Sequence, residues 1–216
     1  MMNMSNDRTS QFFDRYARDF SAIYGNKDTL VNSVVNQVFR RSMRLRYEKT
    51  IAGCFPIEGK TVLDIGCGPG HYSVELARRG AAKVHGVDFA EGMIDLSKRH
   101  AKDAGVEGRT QFELKDFFAF PEGTKYDYTI VMGFMDYMAD PRKVVEKVIS
   151  LTASRAFFSF PVDGGLLAWQ RKLRYKSRCE LFMYDEAAVR RVVAGLNYRA
   201  IRIEEAARDY FVTIDV

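Results

Sequence analysis

A chain of 216 residues, 47% apolar and 28% charged, can bury one sizeable core, which excludes disordered and collagen-like classes. Its formal net charge of +5 is mildly basic and selects no partner by itself. Three cysteines, Cys54, Cys67 and Cys179, stand far apart without a C-x-x-C pair, which argues against a disulfide framework or a zinc site and fits a reducing compartment.

The amino terminus, "MMNMSNDRTS", has no apolar leader segment, and no uncharged apolar run approaches the roughly 18 residues that span a bilayer, so the chain reads as cytoplasmic. Helical spacing follows in "QFFDRYARDFSAIYG", ending at Gly25, and again from about Asp28 to Ala52; together these predict a helical cap over residues 1–55. From Thr61 short apolar runs alternate with amphipathic stretches: "TVLDI", a helix near 71–79, "AKVHGVD", a helix near 91–104, "TQFELKD", "YDYTIVMGF", a helix near 140–150 and "RAFFSF". Such alternation predicts parallel strands joined by right-handed helical crossovers, with helices on both faces of one sheet. After a helix at about 185–195, "YRAIRIEEA" and "RDYFVTIDV" are separated by too few residues for a crossover, which predicts antiparallel pairing.

The stretch "TVLDIGCGPGHYSVELARRG" carries the functional signal. An apolar strand runs to Asp64, passes through Gly66, Cys67, Gly68 and Gly70, and becomes a helix, which is how backbone is brought close to a ligand. A dinucleotide fingerprint would need glycine where His71 stands, and a phosphate-binding P-loop would need a lysine that "GPGHYS" lacks. The remaining fit is a ligand whose small polar end lies on the glycines while Asp64 points toward a positive group, a shape that S-adenosylmethionine has.

"VLDIGCGPG" resembles the first motif of the class I S-adenosylmethionine-dependent methyltransferases. "FFDRYARDFSAIYG" together with "GKTVLDIGCGPGHYSVELARRGA" resembles the small-molecule O-methyltransferases that include magnesium-protoporphyrin O-methyltransferase. The resemblance implies a Rossmann-like three-layer α/β sandwich. Its sheet would be seven-stranded and mostly parallel with an antiparallel last strand, forming a core over 56–216 with a basic insertion near 161–184. Asp88, ending the second strand 24 positions after Asp64, is where one carboxylate can accept both ribose hydroxyls, a feature shared with NAD enzymes. By the resemblance Phe89 and Met93 pack on the adenine, Asp116 and Phe117 meet its polar edge, and Gly133 and Phe134 line the donor pocket. Asp136 and Tyr137 face the acceptor and are the catalytic candidates, with His71 a third. Tyr16 or Arg15 reaches the methionine carboxylate, and Tyr24 lines the entrance.

Positioning two substrates supplies most of the acceleration of methyl transfer by in-line displacement, and a base is needed only where the acceptor must lose a proton. The fourth-strand motif has no histidine to serve as one. Between the fifth strand and the last helix, Arg171, Lys172, Arg174, Lys176 and Arg178 occur without an acid among them, interleaved by Trp169, Tyr175 and Phe182; "RRSMRLRYEK" adds a second basic face. These suggest a small anionic acceptor, O-methylated without a metal. RNA methylation is the rival that the basic stretches raise, although "GFMDYM" stands where amino-directed base methyltransferases carry [ND]-P-P-[YF]. A non-catalytic module that binds S-adenosylmethionine is the third reading, and NAD-dependent oxidoreduction a distant fourth.

Overall fold

A computed structural model describes residues 30–164 and 181–216. The expected first helix with Arg15, Tyr16 and Tyr24 therefore lies outside the described residues, as do Trp169, Tyr175, Cys179 and the basic run 171–178. The first described element is helix α1 (Leu30–Gly53), matching the second expected cap helix. Strand β1 (Thr61–Ile65) leads to helix α2 (His71–Arg78), β2 (Lys83–Asp88) to α3 (Glu91–Asp103), and β3 (Thr110–Leu114) to β4 (Tyr126–Val131). Helix α4 (Pro141–Leu151) runs directly into β5 (Thr152–Pro161), and α5 (Glu186–Val193) precedes β6 (Ala200–Ala206) and β7 (Asp209–Asp215).

Local chemistry fixes several boundaries. Asp140 caps α4 through the Lys143 N–H with Pro141 at the first helical position, and Asp185 caps α5 through the Ala188 N–H. The strand expected through Phe134 stops at Val131, because Gly133 takes a left-handed φ of 68° and a 3-10 turn (Met135–Tyr137) follows. The last helix stops at Val193 rather than 195, with Gly195 at φ 73° just beyond it.

The seven strands form one sheet in the order β3-β2-β1-β4-β5-β7-β6. Every pairing is parallel except those of β7, which runs antiparallel to both β5 and β6, as the short connection between the last two runs requires. Because strand side chains alternate between faces, neighbouring residues serve opposite cores. Leu63, Ile65, Phe158, Val212 and Ile214 join Val144, Val148 and Val189 on one face. Val62, Val84, Phe157 and Phe211 join Ile51, Leu76 and Ala101 on the other.

Helix α1 is tied to the sheet at its carboxyl end: Arg155 donates to the Gly53 carbonyl at 2.7 Å and pairs with Asp215 at 2.8 Å. Strand order reverses between β1 and β4, and ligands of such sheets bind at that switch point, beyond the carboxyl ends of the strands. All the described candidate residues lie on the segments leaving β1, β2, β3 and β4 at that end.

Candidate functional site

The glycine loop is held by its own backbone. Gly66, Gly68 and Gly70 have φ of 66°, 52° and 79°, a region other residues rarely adopt. A Cβ on Gly66 would stand 2.8 Å from the Phe134 ring, and one on Gly70 would stand 2.9 Å from the Ser97 Cβ, so these two glycines make room for packing. A Cβ on Gly68 would meet nothing within 4 Å: this residue faces open space. The loop's N–H groups are already committed. Gly66 and Cys67 donate to the Val87 carbonyl, Gly68 to the Asp88 carboxylate at 2.9 Å, and Gly70 to the Cys67 carbonyl. A pyrophosphate needs a row of free backbone donors, and these four are spent.

Asp64 does not turn outward. It is 2% exposed and accepts the Ser73 hydroxyl at 2.6 Å, tying the first turn of α2 to the end of β1. Burial pushes its carboxyl up to about 7, against the pull of Ser73, and the nearby charge of Asp88 adds to the rise. Its influence on a ligand is therefore through the loop and through charge. Asp88 accepts the Gly68 N–H on one oxygen and the Ala90 N–H on the other, each at 2.9 Å, which fixes its carboxylate between the loop and the start of α3. The Cys67 thiol is buried beneath Gly86, and burial drives its pKa upward, so at this position the backbone and not the sulfur belongs to the crevice.

On the β2–β3 side, Met93 is 3% exposed and clusters with Ala90 and Leu96, while Phe89 is half-buried. Asp116 is exposed and accepts the Phe118 N–H at 2.9 Å, starting a 3-10 turn (Phe117–Ala119). The Phe117 ring meets Phe134 edge-on, with centroids 6.1 Å apart, so the segments leaving β3 and β4 touch above the sheet.

On the β4–β5 side, the Gly133 N–H donates to the Ser159 hydroxyl at 2.8 Å, and Arg46 Nη1 donates to the same oxygen at 3.3 Å. Arg46 lies against Gly133 and pairs with buried Asp209 at 3.5 Å, while Ser42 also donates to Asp209. Its Nε is buried without a hydrogen-bond partner. Arg46 and Ser159 meet at Gly133 and are candidates that the sequence did not single out. The available signal was spacing: Ser42, Arg46 and Thr50 recur at four-residue intervals on the face of α1 that packs inward, where polar residues need a reason.

Asp136 is 4% exposed, and Tyr137 is half-buried beside it. The chain returning after residue 180 crosses here: the Phe182 N–H donates to the Asp136 carbonyl at 2.8 Å, and the Tyr184 hydroxyl to the Met135 carbonyl at 3.3 Å. Burial, and after it the charge of Asp136, pushes the Tyr184 phenol up to about 12, so it acts as a donor and not as a base. His71 opens α2 and stacks on His100 with centroids 5.5 Å apart. A cavity of about 860 Å³ opens behind the loop, between α1, α2 and α3, with Tyr47, His71, Tyr72 and His100 in its wall; it does not reach Asp88 or Asp136. Among the described residues, no three metal-binding side chains converge, and no helix is long and apolar enough to cross a membrane.

Comparison with known proteins places these features in context. Residues 57–163 match the family model of a methyltransferase domain. The ubiquinone biosynthesis O-methyltransferase of Shewanella sp. (strain ANA-3) is 31% identical over 119 residues, 55% of this chain and 49% of that protein. The protein of the same name from Aeromonas salmonicida (strain A449) is 34% identical over 103 residues, 47% of this chain and 43% of that one. The chain thus spans about half the length of the curated relatives it matches. Among solved structures, magnesium protoporphyrin IX methyltransferase from Synechocystis PCC 6803 with bound SAH superposes with a TM-score of 0.74 at 20% identity, over 97% of this chain and 99% of that one. The DhpI–SAH complex gives 0.66 at 17% identity, over 96% and 95%. These last two are likenesses of fold.

Proposed function

The chain belongs to the class I S-adenosylmethionine-dependent methyltransferases, and from that premise we propose that it methylates an oxygen of a small anionic molecule. The observation that carries the donor half of this reading is the glycine loop. Its donors are spent and Gly68 faces open space, which suits an amino acid joined to a nucleoside and not a pyrophosphate. Bound there, S-adenosylmethionine supplies a methyl group activated on a cationic sulfur.

This chain's residues divide the work of holding it. Asp88, already oriented by Gly68 and Ala90, takes the ribose hydroxyls; Phe89, Met93 and Phe117 enclose the adenine, with Asp116 at its polar edge. Gly66, Cys67, Gly68 and Gly70 present backbone to the methionine end. Asp64 lies behind them as a buried carboxyl whose ionised form favours a cation. Gly133 and Phe134 close the crevice from β4, and Arg46 beside Gly133 offers its guanidinium to the methionine carboxylate, the part assigned from sequence to Arg15 or Tyr16.

For the acceptor, Asp136 is the group that accepts a hydroxyl proton, and Tyr137 walls the pocket. The oxygen preference draws on the O-methyltransferases that the chain resembles over residues covering 55% of its length. The anionic preference draws on the basic run 171–178, whose flanking described residues come to this end of the sheet: the Asp163 N–H bonds the Tyr184 carbonyl, and the Phe182 N–H bonds that of Asp136. The test is incubation of the full chain with methyl-labelled S-adenosylmethionine and a panel of hydroxylated aromatic acids, sugar acids and total RNA. Label in a methyl ether or ester of an acid is the expected result; label on nitrogen or in RNA contradicts it.

A further inference from the structure

The loop's carbonyl side is held by a residue that none of the comparisons points to. His100, in the last turn of α3, lies with its Nδ1 2.8 Å from the Pro69 carbonyl, 31 positions away in the chain. A carbonyl only accepts, so Nδ1 carries the hydrogen. Pro69 sits between the two left-handed residues Gly68 and Gly70 and has no N–H of its own, so its carbonyl is its sole backbone polar group. The other loop contacts run to Val87, Asp88 and Cys67, on the β1–β2 side. One turn before His100, Ser97 stands where a Cβ on Gly70 would collide, so the same face of α3 presses the loop at two adjacent points. The His71 ring stacks on His100.

Helix α3 therefore reaches both ends of the crevice, with Met93 on the adenine side and Ser97 and His100 behind the turn that carries Gly68. Resting on the donor reading above, we propose that His100 is a positioning residue for S-adenosylmethionine: its Nδ1–H holds the Pro69 carbonyl and thereby sets the shape of the Gly68–Gly70 turn before the donor arrives. The consequence is a donor affinity that depends on a ring N–H outside the donor pocket.

Two substitutions separate the N–H from the ring. His100→Phe keeps a ring and removes the donor; His100→Asn removes the ring and keeps an amide N–H at the same distance from Cβ. Calorimetric titration with S-adenosylhomocysteine should find His100→Phe weakened about three- to tenfold, the share of one hydrogen bond, and His100→Asn within about twofold of the parent. Melting temperatures without ligand should stay within about 2–4 °C of the parent, the shift that losing one hydrogen bond gives in a chain of this length. Parent-like affinity in His100→Phe, or equal losses in both variants, overturns the proposal. Should a variant fail to fold, nitrogen NMR of the parent's imidazoles decides: an Nδ1-protonated His100 supports the contact, and an Nε2-protonated ring overturns it. A parent that does not bind S-adenosylhomocysteine refutes the donor reading instead, whatever the tautomer.

Discussion

The two halves of the crevice are built by different means. On the β1–β2–β3 side the polar groups are satisfied between adjoining strand ends and the turn and helix that follow them: Gly66 and Cys67 by the Val87 carbonyl, Gly68 by Asp88, and Asp64 by Ser73. On the β4–β5 side the groups converge from distant elements: Arg46 from α1, Ser159 from β5, Asp209 from β7, and Phe182 and Tyr184 from the segment before α5. A half fixed largely by backbone groups of two paired strand ends leaves little latitude in sequence and suits a constant ligand. A half assembled from separate elements can change its contents without disturbing the sheet, which suits a part of the molecule that varies with the acceptor.

The sharpest way to break this division is Asp136→Asn. Turnover of a hydroxyl acceptor, followed as S-adenosylhomocysteine released, should fall about a hundredfold or more, the usual worth of a general base. Affinity for S-adenosylhomocysteine should stay within about twofold, since a base acts on the acceptor's proton and not on donor binding. A matching loss of affinity would mean that the two halves are not separable.

Next in size is the contrast between two glycines of the loop. Gly68→Ala adds a methyl group where the free protein has open space, so its cost in folding is the left-handed strain alone, about 1–2 kcal/mol. Donor affinity should nonetheless fall by tens of fold, roughly 2 kcal/mol of overpacking against the ligand. Gly66→Ala drives a methyl group into Phe134 and should lose more stability than Gly68→Ala in a melting experiment. Equal melting with unimpaired binding in Gly68→Ala would remove the donor from that space.

Asp88→Ala should weaken S-adenosylhomocysteine at least about tenfold, roughly 1.4 kcal/mol for a lost charge-assisted contact. Unchanged affinity in the folded variant would take the ribose away from Asp88.

The smallest effect concerns pH. Burial raises the Asp64 carboxyl from 3.8 to about 7, so between those values the folded chain keeps a proton that the unfolded chain releases. The contribution of this group to stability therefore declines as pH rises from about 4 to 7. Asp64→Asn, which can still accept from Ser73, should flatten that slope in denaturation curves. A cationic donor favours the ionised carboxylate, so parent affinity should rise a few-fold between about pH 6 and 8, and the asparagine variant should lose that dependence. A slope that survives the substitution would assign it to another group.

The same contrast between halves explains what was legible in the chain. The parallel strands follow from alternating apolar runs, and the antiparallel finish from the short link between Ala206 and Asp209; the order in which the strands lie does not follow from either. The glycine loop stood out as a candidate because a tight turn leaves few residues that fit, and Asp88 because it ends the strand beside it. Asp64 stood out in the sequence as a candidate, but its burial against Ser73 did not, because spacing does not reveal which way a strand-end carboxylate turns. Arg46 was hidden for a different reason. Its neighbours in "RRSMRLRYEK" are charged and the run reads as a solvated face, whereas the packing of α1 turns this one guanidinium inward onto Asp209. His100 gave no signal, since its partner is a carbonyl 31 positions away.

The central claim is that the turn after β1, with its backbone donors already engaged, receives an amino acid joined to a nucleoside. Paired calorimetric titrations of the full chain with S-adenosylhomocysteine and with NAD test it most directly. The account predicts one-to-one binding of S-adenosylhomocysteine and no heat from NAD; binding of NAD, or silence from both, would contradict it.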